Sequence, residues 1–430
     1  MPSFFRMRYL LIVGALAMSV LMWVDRACIS AAKDEIRESF GLTDVQMGVV
    51  LGAFSLGYAL LQVPSGVLAD RLGPRLVMTL VCAAWSLLTL ATGLVRGYAA
   101  LVGVRFAFGA GEAGGYPTLT RALAEWLPPG ERGVANSASF SGGRLGAALA
   151  MPLVVALIET LGGWRPTFMF FGVVGLAVAG IWYVCFRNRP EEHPWVSDQE
   201  TDEIRRQQAA AGAAGTGGYE SRTLIDVASK PDLWLLMYQY VAHNFTFFFT
   251  VSWFFPYLKD AFGLTATQTA WGAAAPLLCG VVGNWTAGIT VDRLYARGRW
   301  RASRRIPAAI GFVLAAIGMA GCIHMSSPVT AVACMCIAIF GSDMVLSPSW
   351  STCMDLGGPA AGSVSGSMNM IGNLGAFTTA LAFPSLHEWW GSHELFFYLA
   401  AGLNLVAVAC WFFIRPDRFS DNVPAADAHP

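Results

Sequence analysis

Six ionisable side chains sit within long apolar runs of this 430-residue chain: Asp25, Arg26, Arg105, Glu112, Arg144 and Asp343. A charge at the centre of a bilayer costs about 3 kcal/mol on insertion scales, so such groups turn toward the interior of a helix bundle and mark a path for polar cargo. Arg26 carries a planar, permanent charge that can grip a carboxylate through two hydrogen bonds. Asp25 and Glu112 are proton-exchanging groups whose hold on a proton is set by burial against a neighbouring guanidinium. Arg105 and Glu112 are seven residues apart, two turns of one helix and about 10 Å along its axis. They can line one cavity without closing an ion pair. A purely structural pair joining the first and fourth helices is the alternative for these four residues. Arg144 lies in the small-residue run Ser141–Gly146, which permits close approach of a helix or a second anion contact. Asp343 is a further proton or polyol contact, or a structural carboxylate.

These residues need elements to hold them. Hydrophobic residues make up 55% of the chain and charged ones only 13%, against roughly a quarter in soluble domains. The apolar residues come in runs able to cross a hydrocarbon core of about 30 Å. Charge and Gly/Pro breaks delimit twelve spans: 8–31, 45–69, 75–95, 98–122, 133–160, 164–187, 231–258, 267–292, 305–325, 328–351, 361–386 and 393–414. Glycine and proline interrupt the fourth and fifth. Twenty of the 28 basic residues fall on one side of this layout, which puts both termini and the central loop in the cytoplasm. The first run, Tyr9–Val24, lacks a small-residue cleavage site and reads as a retained helix. The division is an N-terminal six-helix bundle (1–187), a cytoplasmic linker with a short helix (188–230), a C-terminal six-helix bundle (231–416) and a tail (417–430). In the linker, Ser197 and Glu200 have the spacing of a capping box, and Ala209–Gly218 is an Ala/Gly connector. The nine cysteines lie in or beside apolar runs and read as small hydrophobes. Net charge is zero, so no basic field points to nucleic acid.

The two halves repeat. Gly66-Val-Leu-Ala-Asp70-Arg71-Leu-Gly73-Pro-Arg75 closes the second span, and Gly288-Ile-Thr-Val-Asp292-Arg293 closes the eighth. This phrase resembles the cytoplasmic loop signature of the major facilitator superfamily. Finer features are similar to its anion:cation symporter branch, which includes bacterial hexuronate, galactonate and glucarate carriers and animal sialic-acid and vesicular glutamate carriers. They are Asp25-Arg26-Ala27, Tyr58 with Gln62-Val63-Pro64, Arg105–Glu112 followed by Tyr116-Pro117, and Gly163-Trp164-Arg165. In the second half they are Trp253 with Pro256-Tyr257, Trp350 and Gly366–Gly375. Two features depart from the branch: His243-Asn244-Phe245 stands where some animal relatives carry arginine, and Asp343 is no part of its pattern.

The resemblance implies an all-α membrane protein of the major facilitator fold, twelve transmembrane helices in two pseudo-symmetric six-helix bundles, working by alternating access. It implies a multi-pass inner-membrane transporter and no enzyme, without a cofactor or metal, acting as a monomer. Its partners are protons, the lipid bilayer and a small organic anion such as a sugar acid. Asp25 and Glu112 are the expected proton-coupling residues. Arg26, Tyr58, Arg105, Arg144, His243, Asn244, Trp350, Asn369 and Asn373 are the expected substrate contacts. Gly66, Asp70, Arg71, Gly73, Arg75, Asp292 and Arg293 are the expected gate, an acidic group near a helix terminus being held by charge-assisted bonds. Proton-coupled uptake is the working expectation, and a proton-driven antiporter or exporter of a metabolite or drug is the alternative. The fifth span lacks the Gly-Pro-x-x-Gly-Gly ending of drug antiporters. Gly109–Gly114 satisfies G-x-G-x-x-G, yet no strand precedes it, so its glycines read as helix-packing positions. Asn244 and Asn284 match glycosylation sequons inside expected helices, and no phosphate loop is present.

Overall fold

A computed structural model describes residues 6–213, 223–264, 266–324 and 327–415. The expected tail 417–430 and the second half of the Ala/Gly connector lie outside the described residues. The chain divides into two compact units. The first gathers the chain through Leu127 with Ala138–Arg205 and Gly357–Gly366. The second gathers Pro128–Ser137, Arg206–Leu356 and the chain from Ser367 onward.

The first unit is built from α1 (Met7–Ala31), α2 (Lys33–Phe40), α3 (Asp44–Leu72), α4 (Pro74–Leu94), α5 (Tyr98–Glu112), α6 (Gly115–Trp126), most of α7 (Arg132–Leu161), α8 (Trp164–Cys185) and the start of α9 (Asp198–Ala213). The second holds α10 (Leu224–Ala228), α11 (Pro231–Ser252), α12 (Phe254–Phe262), α13 (Ala266–Ala296), α14 (Trp300–Gly321), α15 (Pro328–Met344), α16 (Leu346–Gly357), most of α17 (Ala361–Trp390) and α18 (Glu394–Phe413). The described residues contain no strand.

Three of the twelve expected spans are broken, and proline explains each break. A proline within a helix cannot donate to the carbonyl four residues earlier and its ring crowds that carbonyl. Pro117 follows the break after Glu112, Pro256 the one after Ser252, and Pro348 the one after Met344. The broken spans are therefore α5–α6, α11–α12 and α15–α16. At Pro152 the helix bends instead: the two parts of α7 that flank residue 151 meet at 46°. The ninth span starts earlier than expected, at Trp300, because Gly298 at φ 74° ends the preceding turn and the arginines after it are helical.

The linker helix α9 folds onto the start of α1. Ser197 Oγ accepts from the Glu200 amide at 3.2 Å, as a capping box requires. The reciprocal half of that box is replaced. The Glu200 carboxylate instead accepts from the amides of Met7 and Arg8 at 3.2 and 3.3 Å, where two otherwise unsatisfied donors of α1 await a partner. Arg6 bonds Glu203 at 3.0 Å beside it.

Glycines set the closest helix crossings in the first unit. A Cβ on Gly57 would stand 2.1 Å from the Phe106 carbonyl oxygen, and one on Gly109 would stand 2.0 Å from that of Phe54, so α3 and α5 touch backbone to backbone. Gly142 and Gly146 do the same for α7 against Leu16 and Val20 of α1. Gly109, read from sequence as a packing position, serves as one.

Candidate functional site

The crossings of α1, α3, α5 and α7 bring the first-unit charges together. The Arg26 guanidinium donates through Nε to Glu112 Oε1 at 2.5 Å; the carboxylate is fully buried and 17% of the arginine side chain is accessible. An aromatic sleeve surrounds the arginine. Its Cζ lies 4.4 Å from the ring centre of Tyr58, 5.2 Å from Phe54 and 5.3 Å from Trp23. These distances support cation–π attraction. Trp23 is fixed in turn by donating from Nε1 to Tyr116 Oη at 3.0 Å, and Tyr116 stacks on Phe140.

Arg105 is buried one layer away, 5.2 Å from the ring of Phe54 and 4.7 Å from that of Phe108. Phe54 is therefore shared by both guanidinium groups. Glu112 pairs across to α1 rather than along α5, so Arg105 closes no ion pair among the described residues and its buried Nε has no hydrogen-bond partner. Asp25 is buried beside the indole of Trp85, and neither of its carboxylate oxygens has a hydrogen-bond partner. The two acid–arginine sets expected from the sequence are thus one closed pair, Arg26–Glu112, and two buried groups of opposite sign outside it. Arg144 stands half-buried on α7, one residue past Gly143, which abuts Trp23 Nε1 and Tyr116 Oη.

Most of the second-unit candidates gather around Tyr240. His243 Nδ1 meets the Ser342 carbonyl oxygen at 2.9 Å and its hydroxyl at 2.8 Å, and its ring stacks on Tyr240 at 5.2 Å. Trp350 donates from Nε1 to Tyr240 Oη at 3.1 Å. Asn244 and Tyr240 both press on Gly372 of α17, where a Cβ would stand 3.0 and 2.3 Å from them. Asn373 spends an amide hydrogen on the Asn369 carbonyl of its own helix at 2.8 Å. Asp343 is fully buried with Oδ2 seated over Gly280, a position open only because that residue lacks a Cβ.

The repeated Gly-x-x-x-Asp-Arg phrases each hold a helix start. Asp70 accepts from the amides of Gly362 and Ser363 at 2.9 and 2.8 Å, and Gly66 lies against the Gly362 carbonyl. Asp292 accepts from Gly133 and Val134 at 2.8 Å each, and Gly288 lies against the Gly133 carbonyl. Both carboxylates meet the partial positive charge of a helix N-terminus. The arginines of the phrases do not share this work. Arg71 and Arg293 are exposed. Arg75 donates to the Tyr183 carbonyl at 2.9 Å and stacks on its ring, tying α4 to the end of α8, while Gly73 at φ 85° admits Asn188. The nearest cation to Asp70 comes from elsewhere, Arg121 at 3.8 Å, and Arg132, next to Gly133, converges with Arg304 on a separate carboxylate, Asp355, at 2.7 and 2.9 Å. Asp355, like the sleeve residues Trp23 and Phe54, carried no sequence signal beyond its place in or near a span, and Arg132 and Arg304 none beyond their share of the basic excess on one side.

The Major Facilitator Superfamily model matches residues 15–380. The chain belongs to that superfamily. It is 31% identical to a probable sulfoacetate transporter of Cupriavidus necator over 94% of each chain. It is 29% identical to a probable galactarate/D-glucarate transporter of Escherichia coli over 95% of this chain and 94% of the other, and 29% identical to a D-galactonate transporter of Escherichia coli over 92% and 93%. Among solved structures, the human organic anion transporter MFSD10 aligns at a TM-score of 0.73 and 16% identity over 94% of this chain and 99% of that one. The proton:xylose symporter XylE aligns at 0.72 and 14% identity over 95% and 96%. The major facilitator fold with its twelve helices is therefore established, and the protein is a multi-pass membrane transporter, not an enzyme. Asn244 and Asn284 lie within α11 and α13, as expected from the sequence.

Proposed function

We propose that this transporter takes up a small organic anion together with protons, by alternating access across the inner membrane with both termini in the cytoplasm. The observation that carries the reading is the first-unit charge cluster: one closed pair, Arg26–Glu112, beside an unpaired guanidinium, Arg105, and an unpartnered carboxyl, Asp25. In this reading Asp25, a buried carboxyl with no hydrogen-bond partner, is a group that exchanges a proton in the cycle. Arg105 is the free cation and draws the anion inward. When Glu112 in turn takes a proton, its hold on Arg26 weakens and the second guanidinium becomes available to the cargo. Release of both protons restores the starting pair.

Arg26 and Arg105 are the anion contacts in this reading, and the Tyr58 and Tyr240–Trp350 edges, with His243, Asn244, Asn369 and Asn373, suit hydroxyl-bearing or sulfonated acids. Arg144 is a further anion contact. Asp70 and Asp292 are the gate residues, each letting go of a helix N-terminus once per cycle. The relatives' sulfoacetate, galactarate and galactonate set the first substrates to try.

The deciding experiment uses purified protein in proteoliposomes with an imposed inward proton gradient. Sulfoacetate, D-glucarate and D-galactonate are offered beside neutral xylose. At least one acid should accumulate above its equilibrium level while xylose does not, and Glu112→Gln should abolish the accumulation. Equal uptake of xylose, or gradient-driven accumulation by the Glu112→Gln protein, rejects the reading.

A further inference from the structure

Two pairs of cysteines meet on α15. The side chains of Cys322, just past the end of α14, and Cys334, on α15, lie within hydrogen-bonding reach of each other. Cys336, two residues on, faces Cys279 of α13 in the same way. None of the four is a candidate transport residue.

Glycines bring the first pair together. A Cβ on Gly318 of α14 would stand 2.6 Å from the Cys334 carbonyl oxygen and 2.4 Å from the Ala338 amide nitrogen, so α14 and α15 touch backbone to backbone at this level. Cys322 lies one turn beyond Gly318 and shares its face, toward α15. A Cβ on Gly321 would stand 2.8 Å from Cys334 Sγ, so that glycine leaves the sulfur its place between the helices. A disulfide needs such an approach, because its two Cβ carbons are only about 4 Å apart. Access differs within the pair. Cys322 is buried in an apolar cluster with Phe249, Phe383 and Phe396, whereas Cys334 at the rim of that cluster is partly accessible.

With the termini in the cytoplasm, as proposed above, α14 ends at the outer face, and oxidation of the pair rests on that topology. Thiols on the outer side meet an oxidising compartment. We propose that Cys322 and Cys334 are a disulfide-forming pair, oxidised there by a protein disulfide donor. The Cys334 thiol gives up its proton and its thiolate attacks one sulfur of the donor. The donor's disulfide breaks, its other sulfur leaves as a thiolate, and a mixed disulfide forms. The Cys322 thiolate then attacks Cys334 Sγ and expels the donor's first sulfur. The transporter loses two electrons and two protons, and the donor becomes a dithiol. The bond closes a short loop within the second unit and braces its aromatic cluster. Cys279 lies thirteen residues inside α13, without an approach from the outer end, so Cys279 and Cys336 stay thiols.

The test counts thiols in the full chain. Cells are quenched with N-ethylmaleimide, and the purified protein is denatured, alkylated with or without prior reduction, and its intact mass measured. Seven of the nine cysteines should be modified before reduction and all nine after it. Cys322→Ala should show eight in both cases, and Cys279→Ala/Cys336→Ala should keep a difference of two. Reduction should lower the melting temperature of the native protein by several degrees and leave that of Cys322→Ala unchanged. A C-terminal alkaline phosphatase fusion, active only outside the cytoplasm, tests the topology separately. Nine modified thiols before reduction, in cells where the fusion is inactive, overturn the disulfide and leave the topology standing. A difference of two that persists in Cys322→Ala, or vanishes in Cys279→Ala/Cys336→Ala, overturns the pairing. An active fusion rejects the topology and this proposal with it.

Discussion

Asp25→Asn and Glu112→Gln make a matched pair of perturbations, because each replaces a carboxyl by an amide of the same shape. The structure assigns them unequal consequences for stability. Glu112 is fully buried and accepts from Arg26, so Glu112→Gln leaves a guanidinium without its counter-charge. Removing one member of a buried pair costs about 3–5 kcal/mol. The low end, about 3 kcal/mol, applies here, because 17% of the Arg26 side chain is accessible and three aromatic rings remain around it. Asp25 has no hydrogen bond or ion pair to lose. If it already holds a proton, Asp25→Asn substitutes one neutral group for another and should change stability by less than about 1 kcal/mol.

Their effects on transport should agree. Each variant removes an exchangeable proton, so proton-driven accumulation is lost, while exchange of labelled substrate for unlabelled, which needs no net proton movement, continues. Glu112→Gln mimics the protonated acid and leaves Arg26 in its released state. The assays are thermal unfolding in detergent and paired accumulation and exchange measurements in proteoliposomes. An Asp25→Asn protein that melts as low as Glu112→Gln shows that Asp25 is ionised and paired, and one that still accumulates substrate against a proton-clamped control shows that it carries no coupling proton. Either result refutes the reasoning.

Asp70→Asn and Asp292→Asn each weaken a charge-assisted hold on two backbone amides, worth about 1.5–3 kcal/mol per bond; transport should slow severalfold in each, with substrate affinity in equilibrium binding unchanged. Gly109→Ala places a methyl 2.0 Å from the Phe54 carbonyl oxygen and should sharply reduce the yield of monodisperse protein, whereas Gly103→Ala, which meets nothing within 4 Å, should not. Glu200→Gln keeps the helix α9 intact but weakens the cap on α1, and should cost about 1 kcal/mol by thermal unfolding. The hydrogen bond from Arg205 holds the Glu191 carboxyl below its ordinary value, so the stabilisation of the linker it provides is complete above about pH 4.3 and is lost as pH falls through the lowered value. Limited proteolysis of α9 should therefore rise on acidification in the unaltered protein and be high and independent of pH in Arg205→Gln.

The fold was readable because its determinants are local. Twelve apolar runs, the excess of arginine on one side and the twice-written Gly-x-x-x-Asp-Arg phrase need no knowledge of tertiary contacts. The three broken spans were readable in principle too: each carries a proline four or five residues past the break, at Pro117, Pro256 and Pro348. Pro64, Pro276 and Pro307 lie inside α3, α13 and α14 without ending them, so the residue alone does not decide. Glu200 shows another limit. Its spacing from Ser197 specifies a capping box, but the carboxylate satisfies the amides of α1, nearly two hundred residues away, and no local pattern can report a competitor at that distance.

The charge cluster shows most clearly where local inference stops. Burial in an apolar span is enough to single out Asp25, Arg26, Arg105 and Glu112, because each must be compensated or functional. It is not enough to pair them. Spacing along α5 puts Arg105 and Glu112 on one face, and adjacency on α1 puts Asp25 beside Arg26, yet the closed pair runs between the two helices. That outcome is set by the glycine crossings: Gly57 and Gly109 bring α3 onto α5, and Gly142 and Gly146 bring α7 onto α1. With the backbones that close, Glu112 reaches Arg26 first, and Phe54 of α3 fills the space between Arg26 and Arg105. The division of labour between a paired acid and an unpaired one thus follows from where small residues let helices touch. A methyl group at Gly57 or Gly109 should disturb proton coupling even in the fraction of protein that still folds, although neither residue bears a charge.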